Sequence, residues 1–169
     1  MRRPAARLAA AFAAGALAAC GSSPRAPSCP GDRVGTLHFH GDPLLEGGCP
    51  FASDAGIDFT ATLAYGASGT AVLCVDRPDA QALQGARDGG HVVVGTPAAP
   101  ANVAACACAV TVEEKVDGDV SLDGGAAVAF AGALVDTVNA GAPGAACEHD
   151  AGTPCGAPCE LRWTLTGTP

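Results

Sequence analysis

The first residues in this chain whose type and spacing could do chemistry are His38-Phe39-His40, with Asp42 close behind. In an extended segment, residues i and i+2 share a face, so both imidazoles would project side by side. A strand can present two nitrogen ligands to a metal ion in this way. A complete site needs a third ligand, which His91, His149 or an aspartate would have to bring. The chain has four histidines, and its one methionine is Met1, so the Cys-His-His-Met set of a blue-copper centre cannot be assembled. The plainer reading makes His38 and His40 polar outward residues opposite Leu37 and Phe39. They stand as candidates only, and no metal or cofactor is assigned.

Asp117-Gly118-Asp119-Val120-Ser121-Leu122-Asp123 is like the opening of a calcium loop. Counted from Asp117, however, the sixth position is Leu122 and the twelfth is Val128, where an EF-hand loop needs Gly and Glu. The stretch is better read as an acidic β-hairpin turn. Glu113 and Glu114 are adjacent carboxylates, but neighbouring strand residues point to opposite faces, so they would not form a dyad. The chain contains no Gly-x-Ser-x-Gly elbow, and Ser68 sits in a turn-like Gly-Ala-Ser-Gly run. No catalytic residue is assigned.

Nine cysteines are the remaining reactive groups: Cys20, Cys29, Cys49, Cys74, Cys106, Cys108, Cys147, Cys155 and Cys159. Cys106-Ala107-Cys108 lacks C-x-x-C spacing, and no second pair matches Cys155 and Cys159, so structural disulfides are expected rather than a zinc or redox centre. Cys106 and Cys108 share a strand face, and bonding to each other would strain an extended backbone. Each should seek a distant partner, with the Gly/Pro-rich segment holding Cys147, Cys155 and Cys159 as the expected source. Cys29 or Cys49 could reach Cys74. The pairing as a whole is open from sequence.

Cys20 differs from the other eight. It closes Leu17-Ala18-Ala19-Cys20 after an apolar run from Leu8, preceded by Arg2, Arg3 and Arg7. A basic segment, a short apolar segment and small residues before a cleavage point make up a secretory signal, and twelve apolar residues are too few to span a bilayer. With the cysteine in place, the segment resembles the lipobox of bacterial lipoprotein precursors. The resemblance implies a signal peptide over residues 1–19, a lipidated Cys20 with a flexible tether through residue 29, and a single domain over residues 30–169. It implies the cell envelope of a Gram-negative-type bacterium, with the membrane as partner through the N-terminal lipid. Gly21, in place of the aspartate that retains better-known lipoproteins at the inner membrane, favours the outer membrane. Assigning Cys20 to lipid leaves eight cysteines, an even number suited to four disulfides in an oxidising compartment.

Loss of residues 1–19 removes three arginines and takes the formal net charge from −8 to −11. So acidic a domain excludes the basic patch that nucleic acid requires. Aromatics are sparse, at 4% of residues, so Val, Leu and Ala must fill the core and disulfides must supplement it.

The elements that would position these residues are strands. Ile57 to Tyr65 alternates apolar and polar side chains over its whole length and is followed by a Gly-Ala-Ser-Gly turn and a β-rich run from Thr70 to Asp76. Further strands are expected over Gly35–His40, His91–Thr96, Cys106–Val116, Gly125–Val138, bent near Gly132, and Glu160–Thr166. Asp79–Arg87 alone looks helical. The expected fold is all-β, a disulfide-stapled antiparallel sandwich or barrel of about seven to eight strands. The expected function is that of a non-enzymatic, lipid-anchored envelope protein with a structural or binding role and an envelope protein as possible partner. The alternatives are a metal-binding protein using His38 and His40, and a protein- or ligand-binding module.

Overall fold

The computed structural model describes residues 29–44, 49, 54–77, 80–101, 110–140 and 158–169. Among them the chain forms nine strands in one antiparallel sheet: β1 (Asp32–Leu44), β2 (Ile57–Tyr65), β3 (Thr70–Val75), β4 (Leu83–Asp88), β5 (His91–Gly95), β6 (Ala99–Ala101), β7 (Val110–Asp123), β8 (Ala126–Ala140) and β9 (Cys159–Thr168). The sheet closes on itself. Going round, β1 pairs with β2, β2 with β3, β3 with β4, β4 with β5, β5 with β7, β7 with β8, β8 with β9, and β9 returns to β1. Short β6 lies in line with β5 along the same edge of β7. The result is an eight-stave barrel in which each stave follows its neighbour in sequence, so closure resolves the sandwich-or-barrel alternative.

Alternation explains which side chains go inside. Leu37 and Phe39 on β1, Ala61 and Leu63 on β2, Val116 and Val120 on β7, Phe130 and Leu134 on β8, and Leu165 on β9 are buried in one continuous core. Leu37 and Leu165 are fully buried at 0% exposure. Phe39 stacks on Phe59 at 4.9 Å and meets Phe130 edge-on at 5.3 Å, filling the middle of an interior otherwise built from Leu, Val and Ala. A barrel of eight strands is just wide enough for side chains to fill it. The outward positions carry Thr36, His38, His40, Thr60, Lys115, Asp119, Arg162 and Thr166. This is the reverse of a bilayer-spanning barrel, which turns its apolar residues out.

The two ends differ. At the lower end the connections are tight: Ala67–Gly69 after β2, Gly89-Gly90 after β4, and Gly124-Gly125 after β7. Gly124 and Gly125 both take positive φ, +55° and +88°, as a two-residue hairpin of the twist-matching kind requires. Arg87 stacks its guanidinium 4.2 Å above the Tyr65 ring and plugs this end from within. At the upper end β1, β3, β6 and β8 finish and β2, β4, β7 and β9 begin, and the stretches of sequence between them are the longer ones.

Three expectations about the strands need correction. Leu83–Asp88 is a strand, not a helix: pairing with β3 and β5 on both sides outweighs the local preference, and Gly85 is needed because a Cβ there would collide with the Val93 carbonyl. Asp117–Asp123 is the end of β7 rather than a turn, because the Gly124-Gly125 pair immediately after it makes the reversal. The β7–β8 ladder slips not at Gly132 but between Ser121 and Leu122. Gly132 instead faces Gly118, close to the Asp117 carbonyl.

Two disulfides lie among the described residues. Cys29 bonds Cys74 on β3, with Cα atoms 5.7 Å apart, as one of the two expected alternatives. Cys49 bonds Cys159 at the start of β9, with Cα atoms 5.1 Å apart. Cys159 is therefore not joined to Cys106 or Cys108. Residue 49 follows β1 and Cys159 opens β9, so the two sulfurs meet at the upper end of adjacent staves. Cys20, Cys106, Cys108, Cys147 and Cys155 lie outside the described residues.

Candidate functional site

The outer wall carries the histidines. His38 and His40 share a face of β1, as their spacing predicts, but each engages a different neighbour on β2. His38 Nδ1 hydrogen-bonds the Thr60 hydroxyl at 2.9 Å, and His40 Nδ1 lies 2.8 Å from Asp58 Oδ1. His40 Nε2 also faces Asp42 Oδ1 at 3.4 Å. The Asp58 hydrogen bond and charge, with Asp42 adding to them, raise the His40 pKa above its usual 6.5. His91 opens β5, four staves round the ring from β1, so it does not converge on them. Its partners are Asp119 at 3.1 Å and Asp117 at 3.3 Å, both outward residues of β7, and Lys115 pairs with Asp117 at 3.1 Å. Two of the three carboxylates of the calcium-like stretch, Asp117 and Asp119, are thus engaged by a histidine and a lysine. Among the described residues, no three His, Cys, Asp or Glu side chains are grouped to hold a metal ion. His149 lies outside them.

A second group of titratable side chains lies inside the barrel. Glu113 and Glu114 do point to opposite faces, but Glu114 turns inward and meets Asp136 directly across the β7–β8 ladder. Leu161 of β9 is the register neighbour of Asp136 on its other side. One step down are Val116, Leu134 and Trp163, and one step up are Val112 and Val138. Val110, Val138, Cys159 and Cys49 form a small buried cluster of their own, packed with Val112 and Leu161. The two carboxyl groups, both half-buried, therefore form a polar layer between the main core and this upper cluster.

The electrostatics follow from that placement. Burial, and then the Glu114 charge, pushes Asp136 up to about 7, with Arg77 pulling partly in the other direction. Burial raises Glu114 too, again offset in part by Arg77. Asp136 Oδ1 and Trp163 Nε1 are shielded from solvent with no hydrogen-bond partner among the described residues. Thr96, just past β5, holds the Glu114 backbone: its hydroxyl accepts from the Glu114 N–H at 3.3 Å, and its own N–H donates to the Glu114 carbonyl at 2.9 Å.

Sequence reasoning missed this pair. Each residue occupies an apolar phase of its strand, Glu114 between Val112 and Val116, and Asp136 between Leu134 and Val138. A carboxylate in phase with buried positions is the available signal. The register that puts the two opposite each other is not written in either segment.

Searches against protein-family models, characterised proteins and solved structures find no match to this chain.

Proposed function

We propose that this protein is a non-enzymatic, lipid-anchored binding domain of the bacterial envelope, held by a lipid on Cys20 and presenting the upper end of its barrel to an envelope partner. The observation that carries the anchoring is Leu17-Ala18-Ala19-Cys20 at the close of a signal-like segment. The barrel supports the rest of the reading. A packed interior and tight lower turns make a rigid support, and the strands joined by the longer stretches of sequence have those ends together at the upper end, where connecting segments suited to recognition belong. Polar and charged outward positions suit a domain standing in an aqueous compartment. Residues 21–28 link Cys20 to Cys29, whose disulfide to Cys74 secures the tether to the barrel wall.

The test is incorporation of labelled palmitate, with membrane fractionation, for the wild type and Cys20→Ser. Labelled wild type in the outer-membrane fraction, and unlabelled variant released from it, is the expected result. A Cys20→Ser protein that still takes up label at its N-terminus, or remains in the membrane fraction, would overturn the reading.

A further inference from the structure

We propose that Glu114 and Asp136 form a proton-operated latch: while one of the two carboxyl groups keeps its proton the upper ends of β7, β8 and β9 stay packed, and when that proton is lost they loosen. The argument begins with position. Both side chains point into the barrel from directly opposed residues, in the layer dividing the main core from the upper cluster around Val110, Val138 and Cys159. Two ionised carboxylates held opposite each other between apolar layers repel each other and, being half-buried, lose part of their hydration. With one proton retained, a single charge remains, and the protonated carboxyl is able to donate a hydrogen bond, as in carboxyl pairs that share one proton.

The groups facing the pair do not remove this dependence. Among the described residues, β9 contributes Leu161 and Trp163, the segment after β5 contributes Thr96, and the segment after β3 contributes Arg77, an exposed side chain whose charge offsets only part of the effect. Glu113, Lys115, Glu160 and Arg162 lie on the outer face of the same wall. Burial and then the neighbouring Glu114 charge push Asp136 up to about 7, close to neutral pH.

The fold allows such loosening at this end. Above the carboxyl layer, β7 is flanked on its outer edge only by three-residue β6, which has no second neighbour among the described strands. The lower end is held by hairpins and a continuous core. The Cys49–Cys159 bond limits how far β9 can part from the chain that follows β1.

Trp163, the chain's one tryptophan, sits one step below Asp136 and reports on the layer directly. The experiment follows acrylamide quenching of its fluorescence in the protein with disulfides intact, from about pH 5 to about pH 8.5. The wild type should show a single rise in quenching centred near 7. Asp136→Asn should abolish the transition, and Glu114→Gln should move it down by about one unit, because the like charge is gone. Glu160→Gln, on the outer face, should leave it in place. Amide exchange on the wild type, corrected for intrinsic rates, covers the case in which a variant misfolds. Protection should fall with rising pH at Val112, Glu114 and Val138 but hold at Val120 and Phe130. Flat quenching in the wild type, a transition that survives in Asp136→Asn, or equal loss of protection at both ends would overturn the latch.

Discussion

Replacing Asp136 with Asn should change the pH dependence of folding stability in a direction and size that the structure sets. Asn keeps the shape of the side chain and removes its titration. In the folded state Asp136 titrates at about 7, against 3.8 for an unperturbed aspartate. The folded protein therefore holds a proton that the unfolded chain has released. Stability attributable to this group is fully present below the unfolded value, is lost as pH rises through the window, and levels off once the folded group has ionised above about 7. A shift of about three units corresponds to roughly 4 kcal/mol at most, and about 3 kcal/mol of it falls between pH 4.5 and pH 8. Asn carries its own cost as a half-buried amide, about 1–2 kcal/mol at most, but that cost does not depend on pH and cancels when the two pH values are compared. Urea unfolding of both proteins at pH 4.5 and pH 8, with disulfides intact, measures the difference. Asp136→Asn should gain about 2–3 kcal/mol relative to the wild type on going from the acid to the alkaline condition. Parallel pH profiles for the two proteins would refute the burial argument. A gain in the acid direction would reverse its sign.

Other expected outcomes rest on separate features. Gly31 has φ +103° and a Cβ there would lie 2.8 Å from the Tyr65 carbonyl oxygen, so Gly31→Ala should lower stability by roughly 1–3 kcal/mol in urea titration. Leu37→Ala opens a void in the middle of a fully buried core and should cost about 2–5 kcal/mol by the same assay. Replacing Cys49 and Cys159 together by Ser releases a 110-residue loop and should cost roughly 4–5 kcal/mol on the chain-entropy account, read as a fall in the urea midpoint. His40 should titrate above 6.5 by NMR, and Asp58→Asn should bring it down, since the Asp58 hydrogen bond and charge are the leading causes of the rise.

Much of the barrel is legible in residue order, because a strand with one face buried must alternate. Ile57–Tyr65 is recovered with its bounds unchanged, and Leu161, Trp163 and Leu165 mark the inner face of β9. The parity of the cysteines and the composition of the first twenty residues are likewise properties of the chain alone, and they carry the expectation of an anchored, oxidised domain. Segment-by-segment reading fails where a contact joins distant parts. Asp79–Arg87 reads as helical because its own residues tolerate a helix, and it becomes a strand because β3 and β5 offer backbone partners on both sides. Closure of the sheet through β5–β7 and β9–β1, and the choice of Cys49 for Cys159, are decided by stagger accumulated around the whole ring. Within the β7–β8 hairpin, the Gly124-Gly125 turn and the slip between Ser121 and Leu122 set Glu114 opposite Asp136, twenty-two residues apart in the chain, and bring the two carboxylates together. Alternation is local and survives in the sequence, whereas register is a property of the paired strands and exists only once they meet.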